Sequence, residues 1–536
     1  MASVAPLPGA SANVRFITPA RCGRARLRVG VFADRARQPR WLFEALAKVA
    51  ASDYAELAFV AVAPAPSRDG NGLSPLFGAY RKADRWLFGA GGEGEGDIAV
   101  LVPPARRHAP EHPAIDVAFA IGDVDDAALA GSARHGVWRY CFGEEHDVRE
   151  PLAALREVFG AHPVVASGLR IRRADAGDRV ACASWSRAVP FSLARTRDTL
   201  LPKTSAFLAR ALRELHAHGP SWLDEATVPA ASPSVEAPGS AALLDGVARI
   251  AGRVARRAAE SCLTVGQWQL AYRFGGAAAW SGSLEGFHRL VPPADRFWAD
   301  PFPITVGGRH YIFFEDLPFA TGKGHVSVVE VDTAGHATAP RRVLERDYHL
   351  SYPFLVEDEG RLYMIPETAN NRTVEIYRCI EFPHRWKLER VLLRGLWCAD
   401  ATVHRGHDRW WMFASSCVDG GEVNDELDLF HAESLLGDWK PHRRNPVRSD
   451  VRGARPAGRL YTAGGELYRP GQVCTPIYGA DIAVNRVTRL DEHGYAEEEV
   501  GRIAPSDAGL IGMHTINRAG PLTVTDVFLR RPRWAP

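Results

Sequence analysis

The sequence has no long apolar run. No stretch approaches ~18 uninterrupted apolar residues, so no membrane-spanning helix is predicted. It has almost no net charge, since 65 Lys and Arg against 63 Asp and Glu leave +2. No long block of like charge occurs either, so nothing in the charge pattern points to nucleic acid. The eight cysteines, at positions 22, 141, 182, 262, 379, 398, 417 and 474, make no CxxC and no Cys/His zinc spacing. Reduced, buried thiols of a cytoplasmic protein are expected, with no metal set and no recognisable cofactor motif. The opening residues MASVAPLPGASANVRF lack a basic start followed by an apolar run, which makes a poor secretory signal. GAGGEGEG (89–96) is Gly-rich but precedes a strand, so it reads as a loop rather than a phosphate cradle.

What is present is length and a change of character. At 536 residues the chain is too long for one typical domain, and 46% hydrophobic residues suit a globular fold. The first half alternates strand and helix signals. LRVGVF (27–32), ELAFVAV (56–62), IDVAFAIGD (115–123) and HGVWRYCFG (135–143) read as strands. RWLFEALAKVAA (40–51) sets Trp41, Leu42, Ala45, Leu46 and Val49 on one helical face, and 75–89, 150–160 and 192–218 read as further helices. VVASGLRIRR and RVACASWS form a hairpin signal. This alternation predicts an α/β domain over 1–218 with a mainly parallel sheet. Residues 219–265 form a linker and a connecting helix. The linker is rich in Pro, Ala and Ser, and the helix over 241–262 is basic and amphipathic. Such a helix can pack on one domain, which is the preferred reading, or make a peripheral contact with an anionic membrane.

From residue 266 onward aromatics, Gly and period-two runs dominate, which is all-β composition. Here one pattern recurs. ADPFPITVGGRHYIFFED, SYPFLVEDEGRLYMIPET, CADATVHRGHDRWWMFASS and ARPAGRLYTAGGELYRPGQ each give an apolar strand, a turn and an aromatic strand. The marked positions Asp300, Tyr352, Asp400 and Arg455 step by 52, 48 and 55 residues. Repeats near this length, each worth about four strands, predict a β-propeller. GQWQLAYRF (266–274) and IGMHTINRAGPLTVTDVFLRR (511–531) supply a fifth blade from both ends, which removes the open edge.

In such a ring the repeat-start residues converge on the axis. The second strands end with Glu315, Glu367, Ser415 and Arg469. A scaffold repeat would keep one residue type at each place. These positions vary among acids, arginine, serine and tyrosine, which fits a pocket. Arg455 and Arg469 are candidates for binding anionic groups, and Glu315 and Tyr352 for other ligand contacts. Glycoside chemistry needs two carboxylates across the bond. Asp300 is the candidate base, Glu367 the candidate acid, and Asp400 the group that tunes the acid or binds a hydroxyl.

These motifs resemble the five-bladed propellers of arabinanase- and xylosidase-type glycoside hydrolases. More closely, residues 266–531 resemble the propeller ahead of the transferase domain in plant glucosamine inositolphosphorylceramide transferases. FWADPF, FFED, SYPFL, IPET, DAT, RPAG and the HT of GMHTINRAG carry the likeness, and it adds His514 as a ligand-binding candidate. The resemblance implies association with a sugar. In the hydrolases the acid is a Glu at a later blade start, where this sequence has Arg455, and Arg cannot donate a proton at neutral pH. The N-terminal half weakly resembles a formyltransferase-like domain through RVGVFADRARQPRWLFEAL, HGVWRYCFGE and the helix after SWSRAVPFSLARTRDTLLPK, with His146 in place of the usual loop motif.

Three functions remain open on the sequence. The first is an enzyme of glycan or glycolipid biosynthesis acting on a carbohydrate or nucleotide-sugar in the propeller. The second is a non-catalytic glycan-binding protein of polysaccharide assembly. The third is formyl or acyl transfer to an amino sugar by the N-terminal domain.

Overall fold

The computed structural model describes residues 24–62, 75–91, 94–110, 114–129, 131–143, 152–173, 177–225, 228–229, 239–275, 282–418 and 420–534. They fall into two compact units that meet in sequence between Arg256 and Arg257. His146 lies outside the described residues.

The first unit is built on a seven-stranded sheet. Leu27–Ala33 pairs in parallel with Ala55–Val62 on one side and Val117–Ile121 on the other, and Val137–Phe142 continues the parallel part. Val164–Arg173, Gly177–Arg187 and Val228–Pro229 then add antiparallel strands. The expectation of a mainly parallel sheet is therefore corrected: half of the six pairings are antiparallel. For the pair Val164–Arg173 and Gly177–Arg187 the reason is length: parallel neighbours need a crossover of a dozen residues or more, and the three residues between these strands are too few for one. Coverage is also uneven. One face carries the main core, in which Val29, Val31 and Phe119 of the sheet meet Trp41, Leu46, Phe207 and Leu212 of the helices. On the other face Phe59, Ala118 and Val137 pack against Val124, Leu129 and Ala133 of a connecting segment. This unit is thus a mixed α/β sheet.

Helix Ser240–Leu263 docks its first half on this unit. Leu243 and Ile250 join the core, Gly246 lies so close to the Phe159 ring that a Cβ there would stand 2.4 Å from it, and Arg253 donates to the Val158 carbonyl at 2.8 Å. Residues 255–263 are exposed on every side. No described helix is long and apolar enough to cross a membrane.

The second unit is a five-bladed β-propeller. Blade one is Arg296–Val306, Arg309–Pro318, His325–Val331 and Arg341–Leu344. Blade two is Ser351–Asp358, Arg361–Thr368, Thr373–Glu381 and Arg385–Arg394. Blade three starts with Cys398–Arg405, Trp410–Ser416 and Glu426–Ala432. Blade four is Tyr461–Ala463, Glu466–Val473, Asp481–Asp491 and Gly494–Ile503. Blade five mixes both ends of the unit: Ile516–Ala519 pairs with Leu522–Pro532, which pairs along eleven residues with Thr264–Phe274, which pairs with His288–Leu290.

Inner strands are apolar because both their faces are covered, whereas outer strands are polar. Tyr352, Phe354 and Leu355 are buried, but half of Arg385–Arg394 is exposed and charged, which blunts the outer edge against pairing with another chain. Side chains of the first three blades, from Phe302 through Tyr363 and Tyr377 to Trp410, make one continuous core between the sheets.

Candidate functional site

Three of the four repeat-start residues occupy the same backbone defect. In blade one Ala299 pairs with Glu315 and Phe302 with Phe313, so Asp300 and Pro301 together oppose Phe314. Blade two repeats this with Tyr352 and Pro353 between the pairs Ser351–Glu367 and Phe354–Ile365. Blade three repeats it with Asp400 and Ala401 between Ala399–Ser415 and Thr402–Phe413. The leading residue of each bulge is left-handed, with φ of 52° at Asp300, 42° at Tyr352 and 53° at Asp400. Aspartate tolerates that region. A tyrosine there is an outlier, retained only where the surroundings over-determine it. Bulges of this kind re-aim a side chain and recur beside active sites.

The surroundings of Tyr352 are plain. Its hydroxyl is 2.8 Å from Thr402 Oγ1 of blade three and accepts the Gly458 N–H, at 2.8 Å, from blade four. Blades two and four are not neighbours in a ring of five, so this bond crosses the axis. Tyr352, fully buried and tied to blades three and four, forms a floor beside Asp400 and Asp300; burial raises its hydroxyl pKa and these two charges push it further up.

On that floor Asp300 is held from all sides. Its Oδ1 accepts from Thr515 Oγ1 at 2.7 Å and lies 3.1 Å from His514 Nε2, while Oδ2 accepts from the Tyr352 N–H at 3.3 Å. The other ring nitrogen of His514 is 3.1 Å from Asp526, whose carboxylate also accepts the backbone N–H groups of Asp300, His514 and Thr515. Burial alone would raise the Asp300 carboxyl, but the His514 charge and the Thr515 hydrogen bond outweigh it and hold the carboxyl below its usual range. Burial likewise opposes charge on His514, and the two flanking aspartates overcome it, pushing His514 up to about 10. Among the described residues Asp300, His514 and Asp526 are close enough to share a cation, with one ligand atom each within 4.8 Å of the others. Both imidazole nitrogens already face carboxylates, so the positive charge this set accommodates is that of the imidazolium.

Asp400 is secured in the same way. Arg455 Nε donates to its Oδ2 at 2.6 Å and Gln472 Nε2 to the same oxygen at 2.8 Å. The Arg455 guanidinium also donates to Asn424 Oδ1 at 3.2 Å, reaches across the axis to Glu367 Oε2 at 3.4 Å and stacks 5.1 Å from the Tyr478 ring. Burial would lower its proton affinity, yet Asp400, Tyr478 and Glu367 raise it well above the usual value.

Two glutamates behave differently. Burial, reinforced by the charge of Asp400 and only partly offset by Arg455, pushes Glu367 well above the usual carboxyl range. Burial and Asp300 do the same to Glu315. Glu315 meets His349 Nε2 at 3.4 Å, and His349 Nδ1 accepts the Gly324 N–H at 2.9 Å, which directs the Nε2 proton toward the glutamate. Burial lowers the His349 pKa, which favours the neutral ring. Access differs as well: the Glu367 side chain keeps 14% of its surface, against 1% for Asp400. The site thus sets two glutamates of raised proton affinity beside aspartates engaged by His514 and Arg455.

The structure brings together Asp300, Glu315, Tyr352, Glu367, Asp400, Arg455 and His514. Arg469 stands apart, contrary to the expectation of a ligand contact. It is wholly buried within blade four, where Glu497 takes it in a bidentate pair at 2.8 and 2.7 Å and the Gly453 carbonyl accepts a further bond at 2.6 Å. Its donors are consumed by the blade. Sequence reasoning missed Asp526, Thr515, Gln472, Asn424, His349 and Tyr478. Asp526 was legible as a lone acid inside the apolar run TVTDVF. The others sit in loops or strands with no periodic signal.

Residues 290–509 match the family model for glucosamine inositolphosphorylceramide transferase 1, N-terminal. The propeller is similar to that N-terminal region. The transferase 1 of Oryza sativa subsp. japonica is 36% identical over 208 residues, covering 38% of this chain and 28% of the relative. That of Arabidopsis thaliana is 35% identical over 208 residues, covering 38% and 27%. The chain thus matches less than a third of the length of these relatives. Among solved structures, the α-L-arabinofuranosidase PaAbf62A of Podospora anserina aligns with TM-score 0.35 and 11% identity over 50% of this chain and 98% of its own. The family 117 glycoside hydrolase Zg3597 of Zobellia galactanivorans gives TM-score 0.33 and 11% identity over 49% and 90%.

Proposed function

We propose that the propeller binds a carbohydrate in its floored axial pocket and that Glu367 engages an oxygen of that sugar as a proton-bearing carboxyl, the site supporting glycosidic-bond chemistry. The observation that carries this reading is the setting of Glu367: partly accessible, its proton affinity raised well above the usual by burial and Asp400, and placed among ion-paired aspartates. A neutral carboxyl donates to a glycosidic or hydroxyl oxygen, which a carboxylate cannot do. The match of residues 290–509 to the N-terminal region of a sugar transferase supports a sugar ligand.

One observation favours a second reading, sugar binding without turnover. Asp300, the candidate base, has both oxygens engaged by His514, Thr515 and the Tyr352 N–H. A base so occupied activates no water. Calorimetric binding and mass-spectrometric product analysis against oligosaccharides and nucleotide-sugars separate the two. On the first reading Glu367→Gln keeps binding and loses turnover by about 10²–10⁴-fold. Binding with no product from the unaltered protein establishes the second. An absence of any sugar binding overturns both.

A further inference from the structure

Arg459, next to the Gly458 whose N–H donates to the Tyr352 hydroxyl, is not used by the site described above. Its guanidinium stands 4.8 Å from the centre of the Phe354 ring. Phe354 belongs to the inner strand of blade two, two residues past Tyr352 and so roughly 7 Å farther along the channel. Arg459 comes just before the inner strand of blade four, Tyr461–Ala463. Since blades two and four are not adjacent, Arg459 reaches across the axis just as Tyr352 does, but beyond it. The backbone here is fixed: the Gly458 N–H is bonded to Tyr352, and the Arg459 N–H donates to Asn517 Oδ1 at 2.8 Å.

The side chain of Arg459 makes no hydrogen bond and no ion pair among the described residues. Glu357 and Tyr352 are the groups whose negative charge would favour its own, and Glu357 forms no ion pair with it. Uncompensated burial drops its pKa to about 10. The contrast with Arg455 and Arg469 is informative. Each of those arginines is matched by a carboxylate, whereas Arg459 has a ring beneath its plane and its donors free. A half-buried cation costs free energy unless an anion joins it, and a flat guanidinium on an aromatic face presents its N–H groups edge-on to an oxyanion.

We propose that Arg459 centres an oxyanion site separate from the acid cluster, taking a phosphate or carboxylate group in bidentate fashion over Phe354. The source of the anion, phosphate ester or uronate, is distinguished by probe. Titration calorimetry on the full chain with inorganic phosphate and with glucuronate, at low chloride, measures it. Millimolar or tighter affinity for at least one probe is expected. Arg459→Met weakens it at least tenfold, Arg459→Lys keeps part of it, and Phe354→Leu weakens it, whereas Glu367→Gln leaves it unchanged. Without anion, Arg459→Met unfolds at the same temperature as the unaltered protein or higher, because it removes a charge with no partner. The proposal is overturned if neither probe binds, if Arg459→Met binds as well as the parent, if Glu367→Gln weakens binding equally, or if Arg459→Met is destabilised without anion.

Discussion

At the scale of single residues the propeller is organised by charges that neutralise one another out of water. Asp300, His514 and Asp526 form one such set, and Asp400 with Arg455 another. Removing one partner from a buried pair leaves a charge without compensation, which typically costs about 3–5 kcal/mol. Asp300→Asn is therefore expected to lower stability by that order, read as a shift of the urea midpoint at unchanged slope; a shift below about 1 kcal/mol contradicts the assignment. His514 gives the complementary pH dependence. Its folded-state pKa of about 10 lies above the ordinary 6.5, so its contribution is complete below pH 6.5 and is lost as pH rises through 10. Stability of the propeller should decline over that window, and His514→Gln should flatten the decline. An unchanged slope in the variant would exclude the imidazolium as its source. The depressed carboxyl of Asp300 acts at the other end: its contribution is present above the ordinary value of 3.8 and lost as pH falls below it.

At the scale of elements the repeated bulge is the device that makes a site out of a scaffold. Three inner strands break register at the same place and turn their leading residue left-handed. The Tyr352 bulge is locked by its hydroxyl. Tyr352→Phe leaves the Gly458 N–H without its acceptor in a buried position, which costs about 1–3 kcal/mol. Chemical denaturation tests this, and a neutral effect would show that the floor is not held by that bond. The repeats themselves were legible because strand periodicity and repeat spacing are carried by adjacent residues. ADPF, SYPF and CADA announced the blade starts, and the variety of residues there announced a pocket. The bulges were not legible, since register is set by pairing between strands. For the same reason Arg469 looked equivalent to Glu315 and Glu367, although Glu497 on the outer strand of its own blade claims it. In the first unit the strand signals matched, whereas the helix expected over 192–218 is two, Leu193–Thr204 and Ala206–His218, and the one expected over 150–160 is described only as Leu155–Gly160. The direction of Gly177–Arg187 against Val164–Arg173 followed from the three residues between them rather than from their apolar pattern.

At the scale of the whole molecule there are two compact units with separate cores, and two units with separate cores melt as separate transitions. Calorimetry should resolve two, and Asp300→Asn should move one of them. A single transition that shifts as a whole would contradict independent cores. The propeller itself is closed by the pairing of Thr264–Phe274 with Leu522–Pro532. That closure sets a schedule for synthesis. Trp268, Leu270 and Tyr272 leave the ribosome roughly 250 residues before the strand that covers them. At roughly 5–20 residues per second the nascent chain carries this aromatic strand with one edge open for about 12–50 s. Over that interval the earlier blades can assemble one after another. The ring cannot, and this strand is where a holding chaperone would find its longest-lived grip.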